Sequence, residues 1–211
     1  MKKQYEILPS LPPYGPMYIP LTPNDTRSNN PYSEGFVVRF FTSSEESWVA
    51  NFTLGATSFY QVFEFPQTDV ILVIAGGMGY AMNRNQFKPL SFFGYSITKA
   101  LRIDSSEVVI VECGSLIVIN SKGEELVNKL VSETTESDVR GESAIKDLSY
   151  QGRIVHGYSY DSRSKPKEWV TFTLDLDSGR LNGGSYLRYY YGEDEFIAVE
   201  KKNWWKSLFN I

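Results

Sequence analysis

Apolar residues recur along most of this chain with a period of two, which predicts short, numerous strands. In the segment 47–54, Trp48, Ala50, Phe52 and Leu54 fall on one face, and Val49, Asn51 and Thr53 on the other. In 168–176, Val170, Phe172, Leu174 and Leu176 oppose Trp169, Thr171, Thr173 and Asp175. Further strands are predicted over 36–41, 58–65, 93–103, 153–160, 186–191 and 196–200. Two longer apolar stretches nearly repeat each other. Asp69-Val-Ile-Leu-Val-Ile-Ala-Gly-Gly-Met-Gly-Tyr-Ala-Met-Asn83 is answered by Glu107-Val-Val-Ile-Val-Glu-Cys-Gly-Ser-Leu-Ile-Val-Ile-Asn120. Each copy has an acidic lead-in, a β-branched run, a glycine-centred turn, a second apolar run and a closing Asn. A strand–turn–strand period of about 37 residues is a spacing that stacked β units or propeller blades produce.

The pattern lapses in four places. Residues 83–92 read as a polar loop. Residues 124–133 carry Leu126, Val127, Leu130 and Val131 at a spacing that fits one short helix or a final strand. Residues 134–143 are almost without apolar side chains and read as an exposed, mobile loop. In the tail, Trp204, Trp205, Leu208 and Phe209 share one helical face. Seven of the ten prolines lie within residues 1–34. Because proline fixes φ and lacks a donor, this arm is expected to be extended or looped across the domain, and a ligand role for a Pro-recognising domain is the lesser reading.

The predicted fold is all-β: a partial propeller-like or multi-sheet antiparallel domain of about ten to thirteen strands. Its organisation is an N-terminal Pro-rich arm over 1–34, a single β domain over 35–200, and a C-terminal aromatic helix or tail over 201–211. The 14 Tyr, 13 Phe and 4 Trp agree with this, since rings suit pleated, half-buried surfaces. The formal charge of −4 is mild and speaks against a nucleic-acid surface, for which a basic excess is expected. The N-terminus lacks the apolar core of a signal peptide and no stretch has the length of a membrane span, so a cytoplasmic protein is expected. The single cysteine, Cys113, agrees with that compartment. The sequons at Asn24 and Asn51 read as chance matches, the second lying inside a predicted strand.

Few residues offer chemistry. Gly76, Gly77 and Gly79 approach a phosphate-binding loop, but no helix follows them, and a tight hairpin is the stronger reading. His156 is the only histidine, and Cys113 closes a buried-looking strand rather than opening a helix. No Gly-x-Ser-x-Gly elbow supports a serine nucleophile, and one His with one Cys cannot build a His/Cys metal cluster. Asp175-Leu-Asp-Ser-Gly179 begins like a calcium loop but has Tyr186 where the closing Glu is required, so an ordinary turn is expected. Asp175 and Asp177, with Glu45 and Glu46 or Glu193-Asp-Glu195, could supply a carboxylate pair. No catalytic residue, cofactor or metal is assigned.

Aromatic side chains are the main material for a binding site. Read as a strand after the Asn182-Gly-Gly184 turn, Tyr186, Tyr189, Tyr190 and Tyr191 must place rings on both faces. Exposed Tyr and Trp serve interaction surfaces, because they join large contact area to a hydrogen-bonding tip. Tyr186, Tyr189, Tyr190, Tyr191 and Trp169 are therefore the candidate binding residues, expected in one contiguous exposed patch. The competing reading buries them as packing under a second layer or the N-terminal arm.

Two segments carry a resemblance. Val109–Glu124 resembles a propeller-blade strand pair ending in Asn-x-x-Gly-Glu. Gly152–Asp161 with Glu168–Gly184 is similar to uncharacterised bacterial β-rich proteins that close on Trp-x-x-Phe-x-x-Asp-Leu-x-x-Gly-x-x-x-Gly-Gly. The resemblance implies a propeller-like or multi-sheet domain and brings no catalytic residues. Together these features lead to the expectation of a bacterial protein-binding module, in its specific form an immunity protein neutralising a partner toxin. The mild acidity suits a basic partner. No nucleic acid or membrane is expected as partner. The rival expectation is a small carbohydrate-active hydrolase using carboxylates around Asp175 and Asp177 beside Trp169.

Overall fold

The computed structural model describes residues 3–13, 18–23, 33–133 and 143–191. Sixteen strands are found among them: β1 (Tyr5–Ile7), β2 (Ile19–Leu21), β3 (Phe36–Phe41), β4 (Ser47–Phe52), β5 (Gln61–Glu64), β6 (Val70–Ala75), β7 (Met78–Asn83), β8 (Pro89–Phe93), β9 (Ile97–Arg102), β10 (Glu107–Glu112), β11 (Ser115–Asn120), β12 (Glu125–Leu130), β13 (Ile145–Gln151), β14 (Ile154–Asp161), β15 (Glu168–Asp175) and β16 (Leu181–Gly183). A helix, α1, occupies 185–191. The fold is all-β and multi-sheet.

The strands form four four-stranded sheets, ordered β1-β3-β4-β2, β5-β6-β7-β8, β12-β11-β10-β9 and β13-β14-β15-β16. Three are simple meanders, the strand order of a propeller blade. The first differs because the Pro-rich arm supplies both of its edges. Tyr5 pairs with Phe40 in antiparallel fashion, whereas Ile19 pairs with Ala50 in a parallel match. Pro20 is tolerated in β2 because an edge strand can spare a donor.

The chain divides into two compact units, residues 1–112 with 117–126, and residues 113–116 with 127–211. In the first unit, β6 is buried along its whole length. Ile71, Val73 and Ala75 pack with Val38, Phe40 and Phe52, while Val70, Leu72 and Ile74 pack with Val108, Ile110 and Ile117. A strand covered on both faces needs apolar residues at every position, which is why its sequence is a continuous run rather than an alternation. Its turn to β7 has Gly76 at φ 55° and Gly77 at φ 90°. The corresponding turn after β10 has Cys113 at φ 44° and Gly114 at φ 82°. Two successive positive φ values are those of the type I′ turn, whose twist suits a two-residue hairpin.

Two local expectations are corrected, one open alternative is decided and one strand is added. Residues 83–92 are not simply loop, because β8 begins at Pro89; it is an edge strand, where proline costs no ladder bond. For the segment 124–133, read as one short helix or a final strand, the strand is found, as β12. Strand β13, for which no element is predicted, carries Ile145, Leu148 and Tyr150, whose alternation is interrupted where the register shifts between Lys146 and Ser149. Residues 186–191 form helix and not strand. The predicted loop at 134–143 lies, except for Ser143, outside the described residues, as do the predicted strand at 196–200 and the tail at 201–211.

Candidate functional site

In the second unit, β14 and β15 pair from Ile154↔Asp175 to Asp161↔Glu168 without a break. Alternation divides this ribbon into two faces. Val155, Ser159, Phe172 and Leu174 line the buried one. Chain direction changes after β16 at two glycines, Gly183 with φ 75° and Gly184 with φ 89°. A Cβ on Gly183 would come 2.4 Å from the Thr171 carbonyl oxygen, so no other residue fits there. Helix α1 starts at once: Arg188 N–H donates to the Gly184 carbonyl at 3.1 Å, and Tyr186 N–H to Val131 O at 3.0 Å.

Buried serines fasten the start of α1. Ser185 N–H donates to Ser159 Oγ at 2.8 Å, Ser185 Oγ to Ser132 Oγ at 3.1 Å, and Ser132 Oγ to the Tyr160 carbonyl at 3.0 Å. Buried polar groups satisfied in this way fix a single docking geometry. From this anchored end the helix carries its tyrosines outward. Tyr189, Tyr190 and Tyr191 are 57%, 53% and 56% exposed. Tyr186 and Tyr190, one helical turn apart, bring their ring centroids to 4.7 Å, and Tyr189 meets Tyr190 edge-on at 5.0 Å.

Charged neighbours hold these rings. Tyr190 Oη donates to Glu133 Oε1 at 2.6 Å. The other Glu133 oxygen pairs with Arg163 Nη2 at 2.7 Å. The Arg163 guanidinium lies 3.8 Å from the Tyr189 ring centroid. The bond to Glu133 pushes the Tyr190 hydroxyl above its ordinary pKa, because losing the proton would set a phenolate against a carboxylate. Arg188 ties α1 back to β15 through an ion pair with Glu168. Glu133 and Arg163 have no sequence signal of their own, being single charges within polar stretches.

Trp169 does not join this cluster. It follows Glu168 on β15 and therefore points to the opposite face, where its ring contacts Tyr160 at 5.2 Å and lies under Lys146 Nζ at 4.2 Å. The expected contiguous patch is thus two surfaces, a tyrosine helix and a half-exposed Trp169–Tyr160 pair.

The carboxylates proposed for hydrolysis are engaged otherwise. Asp175 accepts the backbone N–H groups of Asp177 and Ser178 at 2.9 and 3.1 Å, and that of Ser178 above all holds its carboxyl below the ordinary range. Asp177 pairs with Arg153 at 2.9 Å. This is a strand-ending turn. Glu193-Asp-Glu195 lies outside the described residues. Elsewhere, in the first unit, a cleft of about 470 Å³ includes Gln4, Phe41, Glu45, Glu64 and Arg84 in its lining. Arg84 is locked there by Asp69 at 2.7 Å and by the Phe41 carbonyl at 3.2 Å. Among the described residues no group of three or more His, Cys, Asp and Glu is arranged to hold a metal ion, and no helix is long and apolar enough to cross a membrane. The sequence matches no protein-family model and no curated protein.

Proposed function

We propose that this chain is a protein-binding module of bacterial origin, acting in the cytoplasm, whose contact surface is the tyrosine helix α1. The supporting observation is the exposure of Tyr189, Tyr190 and Tyr191 on an element whose base is pinned by buried serines. Rings held on a rigid support lose little conformational freedom on binding and bury large area, the two properties of an interface anchor. In its specific form the module is an immunity protein, and its partner is a basic toxin domain, which suits a chain of formal charge −4. The experiment is co-expression with a toxin-like product of a neighbouring gene. Growth arrest by that product should be relieved by the wild-type chain and restored when Tyr189→Ala and Tyr190→Ala are combined. Failure of the wild-type chain to relieve arrest, or to bind the purified product, removes the immunity reading.

A second reading, a small carbohydrate-active hydrolase, draws on the cleft whose lining includes both Glu45 and Glu64. Release of reducing sugar from a polysaccharide panel, lost in Glu64→Gln, is the result it requires.

A further inference from the structure

Arg163 lies against the tyrosine cluster as a bound cation would. Its guanidinium meets the face of Tyr189 at 3.8 Å on one side and the Glu133 carboxylate at 2.7 Å on another. Tyr190 completes the enclosure, bonded to the same carboxylate and set edge-on to Tyr189. An aromatic face beside a carboxylate is the arrangement by which proteins receive guanidinium and ammonium groups, the ring quadrupole and the negative charge acting together. Only about 10 Å³ remains open in the depression lined by Glu133, Asp161, Ser185, Tyr186 and Tyr189, so with Arg163 in place no second cation enters.

The occupant is removable. Arg163 stands on the connection between β14 and β15, and its side chain is 48% exposed. That connection is shaped by Asp161, whose Oδ1 accepts the N–H groups of Arg163 and Ser164 at 3.0 and 3.1 Å. The backbone path therefore does not depend on the Arg163 side chain. Charge favours replacement by another cation. Among the described residues, Glu133, Asp161 and Glu168 pair with Arg163 and Arg188, and with Arg163 swung away these three carboxylates keep one of the two guanidinium groups.

We propose that Tyr189, Tyr190 and Glu133 form a receiving site for an arginine or lysine side chain of a protein partner, and that Arg163 occupies this site in the free protein. The proposal rests on the reading of the chain as a protein-binding module. Binding is then an exchange of one cation for another at the same ring. Since the competent state is the minor one in which Arg163 has left, the observed affinity is lowered by the fraction of molecules in that state. Removing the Arg163 side chain should strengthen binding of a foreign cation rather than weaken it, the reverse of what loss of an ordinary contact residue does.

The test is titration of N-acetyl-arginine amide into the full chain, followed by the ring resonances of Tyr189 and Tyr190. Affinity should rise about ten-fold in Arg163→Ala, given the modest strength of an exposed ion pair and cation–π contact. Arg163→Gln should behave alike and covers a folding defect in the first variant. Adding Tyr189→Ala to either should abolish the gain, and the uncharged N-acetyl-norleucine amide should not bind. Equal affinities for wild type and both variants, or a gain that survives Tyr189→Ala, overturn the proposal. If the probe behaves as expected but co-expression gives no relief of toxicity, the cage stands and the immunity reading falls. If relief depends on the tyrosines but the probe does not bind, the cage falls and the immunity reading stands.

Discussion

Tyr80 and Tyr190 show how far neighbours decide what one residue type does. Tyr80 sits in β7, fully buried, its ring edge-on to Phe52 and its hydroxyl donating to the Thr53 carbonyl at 2.6 Å. Tyr190 sits on α1, half exposed, its hydroxyl donating to a carboxylate. Both hydroxyls are pushed above the ordinary tyrosine pKa, but the causes differ: burial for Tyr80, and chiefly the Glu133 hydrogen bond for Tyr190. The strand containing Tyr80 and its neighbour β6 are buried on both faces, so almost every position in them is under packing constraint. The helix containing Tyr190 is pinned at its base by buried groups, whereas Tyr189, Tyr190 and Tyr191 stay more than half exposed. A stable scaffold and an available surface are thus drawn from the same side chain.

The largest effect that tests this contrast is Tyr80→Ala. Removing a fully buried ring should cost about 3–5 kcal/mol, measured by urea denaturation. Tyr80→Phe, which keeps the ring and leaves the Thr53 carbonyl without its donor, should cost about 1 kcal/mol. A loss below about 1 kcal/mol for the alanine variant would mean that the sheet is not packed as described.

Next in size are the glycines that set α1 on its sheet. Gly183→Ala combines a positive φ with a clash against backbone, and should destabilise by about 2 kcal/mol or more. Gly152 has a similar φ of 58°, but a Cβ there would meet nothing within 4 Å, so Gly152→Ala should show the conformational cost alone, about 1 kcal/mol. Hydrogen exchange should locate the extra loss of Gly183→Ala in α1. Equal losses in the two variants would show that the close approach to Thr171 does not hold the helix.

These two regions are unequally legible in the sequence. The apolar runs of β6 and β10 in the first unit, and the glycine turns that follow them, name their structure directly, because a strand buried on both faces has few alternatives. The helix at 185–191 is hidden by its own composition: a run of tyrosines has high strand preference. What favours helix there is the pair Gly183-Gly184, which ends β16, and the four-residue spacing of Tyr186 and Tyr190. The candidate tyrosines are identifiable as ring-rich surface material, but a strand reading gives the wrong account of how they come to be exposed together. Residue type alone groups Trp169 with them, and its position after Glu168 sends it to the other face. Glu133 and Arg163 escape a sequence reading, since no local pattern marks a charge whose partner lies far along the chain.

Tyr190→Ala should have a smaller effect on stability, about 1 kcal/mol or less, because a ring more than half exposed gives up one hydrogen bond and two ring contacts. It should weaken binding of a protein partner by about 1–3 kcal/mol. A large drop in thermal midpoint would return the cluster to packing and dissolve the contrast with Tyr80.

The smallest expected effect separates the two causes of raised pKa. A tyrosine whose folded pKa lies above its unfolded value contributes stability that is complete below the unfolded value near 10 and is lost as pH rises through the folded one. Ionisation of Tyr80 and of Tyr190 should therefore weaken the fold on the alkaline side, and neither titration should change stability near neutral pH. Substitution near Tyr190 distinguishes them. Glu133→Gln removes the negative charge that opposes the phenolate and should bring the Tyr190 titration, followed by ring carbon shifts, back toward its ordinary range. Arg163→Ala removes a positive charge that favours the phenolate and should move it the other way. Tyr80, raised by burial, should respond to neither. A Tyr190 that titrates identically in all three proteins would show that its hydroxyl is not held by Glu133 in solution, and the cage built on that carboxylate would lose its third wall.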